Sequence, residues 1–178
     1  MSTVVISGDT SGSITLQAPA VSGTTTLTLP AATGTVMVSG NMPAFSYQNT
    51  TNQNITSTTW TKVTVNSQIF DTNSNVSSSR FTATIAGYYQ FNGSIRCAGS
   101  SITIIVVALY KNGNIVGYGN AQATSVSPDN SITVSEVIDL AVNDYVELYG
   151  FIIGTSPQFA YAAPGANCRF SGAMIRTA

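Results

Sequence analysis

Apolar and polar residues alternate with a period of two along most of this chain, and that rhythm restricts it to β structure. In "GYYQFNGSIRC" (87–97), Tyr89, Phe91, Gly93 and Ile95 fall on one face of an extended strand. Tyr88, Gln90, Asn92, Ser94 and Arg96 fall on the other. Similar strand-sized runs are "AFSYQ" (44–48), "TWTKVTV" (59–65), "RFTATI" (80–85), "SITIIVVALY" (101–110), "NIVGYGNAQA" (114–123), "SITVSEVIDL" (131–140), "DYVELYGFII" (144–153) and "RFSGAMIRT" (169–177). None sustains the 3.6-residue period of a helix. Between Tyr110 and Ile115, Asn112-Gly113 is the dipeptide favoured by a type I′ hairpin, where both central residues take positive φ. Many short strands at this spacing predict a sandwich, jelly roll or barrel.

The surface chemistry is unusual. Charged residues make up 7% of the 178, against roughly 25% in an ordinary soluble protein. Ser, Thr, Asn and Gly take their place, as expected where hydroxyls and amides solvate a β-rich surface. Six basic and seven acidic residues leave a net charge of -1. With no Lys or Arg cluster to neutralise phosphates, nucleic acid is not an expected partner. Nor does any apolar run reach the length of a membrane-spanning helix, so membrane insertion is not expected either. The opening "MSTVVISGDTSGS" lacks the basic and apolar regions of a secretory signal, which points to synthesis in a cytoplasm.

The first forty residues hold an internal repeat: "SGSITLQAPA" (11–20) and "SGTTTLTLPA" (22–31) align without gaps. Ile14, Leu16 and Ala18 alternate with polar residues, as do Leu27 and Leu29, then Val36 and Val38. Each such strand offers only two or three apolar groups, too few for stability alone. Between Asp9 and Lys62 there is no charged residue at all. That favours a self-associating shaft or docking segment over a solvated linker. The character changes near "SGNMPAF" (39–45), which divides the chain into an N-terminal repeat segment, 1–42, and a head, 43–178.

Residue types exclude most catalysis. The chain has no histidine, which removes Ser-His-Asp and Cys-His mechanisms and His-based zinc sites. The acids Asp9, Asp71, Asp129, Glu136, Asp139, Asp144 and Glu147 form no paired motif and lie mostly beside turns. Two cysteines, Cys97 and Cys168, fit either buried thiols or one bridge. Loop oxygens at Asp129-Asn130 or Asn143-Asp144 fit plain turns better than a calcium site. No enzyme activity and no cofactor are expected.

These residues together resemble a known family. "FTATIAGYYQF" carries Phe81, Gly87, Tyr89 and Phe91 at the spacing of the signature of the complement C1q globular head, whose fold the tumour necrosis factor ligands share. "PAFSYQ", "FDTNSN" and "VALYKNG" follow the same order. "VIDLAVNDYVEL" is similar to the family's Leu-x-x-Gly-Asp-x-Val-x-Leu through Leu140, Asp144, Val146 and Leu148, and "RFSGAMI" resembles its closing strand through Phe170, Ser171 and Gly172. The resemblance spans about residues 43–178 and implies a ten-strand jelly roll forming a homotrimer. Gly93 and Asn143 depart from the family's aromatic and Gly.

Phe81, Gly87, Tyr89 and Phe91 then belong to the core, and Tyr88, Gln90, Asn92 and Arg96 become candidates for contact with a sister subunit. "SGTTTLTLPAATGTV" resembles Thr/Leu/Pro/Gly-rich segments of tailed-phage fibre, appendage and decoration proteins. The expectation is a trimeric virion protein held to another virion protein by residues 1–42, with a head that binds a host polysaccharide or protein or stabilises the particle. A secreted recognition module and a glycan-active enzyme are the alternatives.

Overall fold

The computed structural model describes residues 3–7, 9–17, 20–21, 23–24, 26, 31, 36–38, 40, 42–122, 131–160 and 168–178. They fall in two compact units, Met1–Gly34 and Thr35–Ala178.

In the first unit, β1 (Thr3–Ser7) and β2 (Ser13–Gln17) form an antiparallel hairpin. The first copy of the repeat thus pairs with a preceding strand that the repeat did not reveal. The second copy lies mostly outside the described residues. Val4 pairs with Leu16 and Ile6 with Ile14, which puts four apolar side chains on one face. All four are more than half exposed.

The second unit is a β sandwich built around one strand. β9 (Gly87–Lys111) runs 25 residues and belongs to both sheets. Its first half pairs with β11 (Ser131–Leu140) and β13 (Arg169–Thr177), and β13 continues to β3 (Ala44–Gln48) and β6 (Ser67–Asp71). This is the front sheet. Its second half pairs with β10 (Asn114–Gln122) and β12 (Tyr145–Phe159). β12 also pairs with β4 (Gln53–Asn54), β5 (Thr61–Lys62) and β8 (Arg80–Thr82), and β8 with β7 (Val76–Ser77). This is the back sheet.

Two expected strands, 87–97 and 101–110, are therefore one. The stretch 59–65 shrinks to Thr61–Lys62. Val63 and Val65 are buried there; the Val63 amide still donates to Leu148 O of β12 at 2.9 Å, whereas that of Val65 leaves the ladder and donates to Ser79 Oγ at 3.0 Å. The Asn112-Gly113 turn forms as expected, with φ of 49° and 83°.

Between the sheets, Phe45, Phe81, Tyr89, Phe91 and Phe170 are each 1% exposed or less. Phe45 stacks on Phe81 at 5.0 Å and meets Phe170 edge-on at 4.9 Å, while Phe81 meets Phe91 edge-on at 5.4 Å. The one polar group of the cluster, the Tyr89 hydroxyl, donates to Ile85 O at 2.7 Å, as a buried phenol requires. Gly172 has no substitute, since a Cβ there would lie 2.8 Å from Phe91 Cδ1 and 2.9 Å from Phe45 Cε1. Gly87 opens β9 against the Arg176 carbonyl, where a side chain has no room. Leu140, Val146 and Leu148 fill the rest of the core.

Asp144 ties the turns at one end. It accepts from Asn112 Nδ2 at 2.7 Å and Ala141 N at 2.9 Å, and pairs with Lys111 Nζ at 2.9 Å. Those hydrogen bonds, that of Asn112 first, hold its carboxyl at about 2, below the usual 3.8.

Phe91→Ala should destabilise the sandwich by about 3–5 kcal/mol, read as a lowered denaturation midpoint; unchanged stability would remove Phe91 from the core. For Asp144, folding depresses the carboxyl, so its contribution is present above its unfolded value and fades as acid protonates it. The advantage of the native protein over Asp144→Asn in melting temperature should therefore shrink as pH falls from about 4 to about 2.

Candidate functional site: two faces and their neighbours

On the front sheet the period-two pattern sorts side chains cleanly. Tyr89, Phe91, Gly93, Ile95 and Cys97 are buried, whereas Tyr88, Gln90, Asn92, Ser94 and Arg96 point outward in the alternate positions. The register aligns this outer set in rows across the strands. Asp139, Tyr88 and Arg176 form the first, with the Arg176 guanidinium 4.5 Å from the Tyr88 ring. Val137, Gln90, Ala173 and Ala44 form the second, and Ser135, Asn92, Ser171, Ser46 and Phe70 the third. Gln90 Nε2 donates to Ser135 Oγ at 2.9 Å, and Ser135 donates to Asn92 Oδ1 at 2.8 Å. Around Asn92, Ser94, Thr133, Ser135, Arg169 and Ser171 the small side chains leave a shallow hollow of about 360 Å³.

The four contact candidates Tyr88, Gln90, Asn92 and Arg96 thus lie on one surface, with Asn92 at the hollow and Tyr88 between Asp139 and Arg176 at one end. Val137, Phe70, Ile69 and Ile175 are about half exposed on or beside the same sheet. A second exposed apolar set, Ile115, Val116 and Tyr118, sits on β10, and Tyr118 is 67% exposed.

The back sheet carries a group that sequence reading missed. Outward from β12 and β9, Tyr110 packs on Tyr149 at 4.2 Å, and Trp60 lies over Tyr110 at 5.9 Å and Phe151 at 5.4 Å. Beneath them Glu147, 3% exposed, accepts from Arg80 Nε at 2.8 Å and Lys62 Nζ at 3.1 Å. Arg80 also lies 3.8 Å from the Tyr145 ring centre. The odd positions 145–151 of "YVELYGF" bore the signal, but both faces of β12 are covered and the run reads as one continuous apolar strand.

Chemistry is sparse on these surfaces. Cys97 and Cys168 are buried free thiols, and desolvation pushes Cys168 up to about 11, far from a reactive thiolate. Asn143 lies beside Asp144, whose oxygens are engaged by the turn, while Asp129-Asn130 lies outside the described residues. Among the described residues no three His, Cys, Asp or Glu side chains gather into a metal-holding group.

No protein-family model matches the chain, and no curated protein matches it in sequence. Solved structures do match. The globular domain of zebrafish complement 1qA is 22% identical with a TM-score of 0.52, over 76% of this chain and 98% of that one. Murine APRIL is 7% identical with a TM-score of 0.57, over 75% and 99%. Eiger TNF from S. frugiperda is 11% identical with a TM-score of 0.57, over 77% and 93%. The fold of this chain is accordingly the all-β jelly-roll sandwich of the complement C1q and tumour necrosis factor kind.

Proposed function

We propose that this chain is a homotrimeric binding module of a tailed-phage virion, attached through residues 1–42 and presenting its jelly roll outward. The observation that carries self-association is the front face. Val137, Phe70 and Ile175, each about half exposed, put apolar surface on this sheet and its edge, and such surface gains from being covered. The second apolar set, on β10, occupies a different surface. Contact between two unlike surfaces is heterologous, and a ring of such contacts closes at a small number of copies. Similarity in fold to complement C1q and tumour necrosis factor proteins supports three.

Attachment rests on the first unit. A two-stranded hairpin with Val4, Ile6, Ile14 and Leu16 uncovered is marginal alone and gains from a partner surface. The virion assignment rests on the likeness of residues 22–36 to phage appendage segments and on the charge-free stretch from Asp9 to Lys62. In this reading the head recognises a host polysaccharide or protein, or stabilises the particle, and catalyses nothing.

Light scattering after size-exclusion should give three chains per particle, and a stable monomer would refute the trimer. Val137→Asp places a charge on the covered face and should shift the protein toward monomer while its β-sheet circular dichroism persists. Removing residues 1–42 should leave a folded trimer that no longer incorporates into virions; loss of folding would refute the two-part organisation.

A further inference from the structure

The sandwich has two dissimilar ends. Residues before β3 join it where Pro43 O accepts from Met174 N and Ala178 N donates to Ala86 O, at the end carrying the Asn112-Gly113 and Asp144 turns. At the opposite end β12 is irregular, with register shifts at Ile153/Thr155 and Thr155/Gln158. There Asn54, Ile55, Ser156, Pro157 and Gln158 line a hollow of about 420 Å³, within the size range of small-molecule sites.

Its lining is amphipathic and uncharged. Ile55 and the buried Pro157 supply an apolar floor, joined by Ile55 N donating to Pro157 O at 3.1 Å. The rim is an amide chain: Asn52 Nδ2 donates to Gln158 Oε1 at 3.2 Å, and Gln158 Nε2 donates to Asn54 Oδ1 at 2.6 Å. Passed in that direction, the chain leaves the Asn54 amide protons at its end with no acceptor among the described residues. The Ser156 hydroxyl is likewise unengaged among them. Ser156 also holds φ of 48°, a conformation that glycine adopts at lower cost. Ser156 is one of eight non-glycine residues at positive φ among those described, and it places its hydroxyl at the hollow.

The backbone narrows the ligand class further. At Gln158, β12 is already paired on both sides, with Asn54 of β4 and Ala98 of β9. This stretch of β12 therefore offers no free edge to which a peptide could add as a strand, and recognition along it falls to side chains. Amides and a hydroxyl around an apolar floor, without a charged group, match a sugar ring with its rim of hydroxyls and apolar C–H face. We propose that this hollow binds an uncharged saccharide unit. The assignment deepens the binding-module reading above and rests on it.

The full-length protein is tested by surface plasmon resonance on immobilised dextran, mannan and galactan, with acidic alginate beside them. At least one neutral polysaccharide should bind. Ser156→Gly should weaken that binding about tenfold or more, as expected for a lost ligand hydrogen bond, while its melting temperature stays level or rises. Asn54→Ala should weaken it comparably, and light scattering on each sample reports the oligomer. No binding to the three neutral polymers, binding confined to alginate, or binding unchanged in both variants would overturn the site. A trimer that fails these tests leaves the trimeric module standing and removes only the saccharide hollow.

Discussion

Five aromatic rings drawn from four strands, Phe45, Phe81, Tyr89, Phe91 and Phe170, meet at centroid distances of 4.9–6.1 Å in the centre of the sandwich. Phe81 comes from the back sheet and the other four from the front, so this contact joins the layers. Edge-on and offset geometries let each ring present its positive edge to a neighbour's negative face, beyond the gain from burial. The cluster has local consequences. Gly172 must lack a side chain so that Phe91 and Phe45 can close over it. Once Tyr89 and Phe91 face inward, period-two geometry sends Tyr88, Gln90 and Asn92 outward. The outer face is a by-product of the core.

Part of the scarce charge is spent on geometry. Asp144 and Lys111 bind the β9–β10 and β11–β12 turns to each other. Glu147 holds Arg80 and Lys62 under the back-sheet aromatics, and Lys62 Nζ also donates to Ser78 O at 3.0 Å. Arg80 and Lys62 are partly exposed, so the pairs gain little from Coulomb attraction through solvent. Their main effect is to satisfy a carboxylate that would be costly to bury alone. With those acids and bases engaged, little net charge repels one copy of the chain from another.

How much of this was legible depended on whether the signal was local. Which β9 residues share a face was read from alternation and that this face points inward from the family resemblance, while the 112–113 turn was read from two residues. Where a strand changes sheet was not legible. Near Cys97, β9 passes from the front sheet to the back, and the polar stretch Gly99–Ser101 separates its two apolar runs in sequence although pairing with β12 continues through it. The interruption at 59–65 was hidden because Val63 and Val65 keep strand-like spacing while the Val65 amide turns to the Ser79 hydroxyl. The distal hollow was unreadable in principle. Asn54 and Gln158 stand 104 positions apart and meet only through the pairing of β4 with β12.

Symmetry relates the two readings. A ring in which each front face meets the β10 surface of the next copy would cover the front sheet and leave both ends of each sandwich free. The chain enters β3 at one end of the sandwich, and the amide-lined hollow lies at the other. Three hollows would then open in the same direction on one rigid body. A single site of hydroxyl and amide contacts binds a sugar weakly, because each hydrogen bond replaces one to water. Three on a common platform meeting a repeating polymer raise the effective concentration for the second and third contacts, and avidity gains of about a hundredfold or more need no new interaction. In the proposed trimer, weak single sites and threefold closure would be parts of one physical solution for a charge-poor surface.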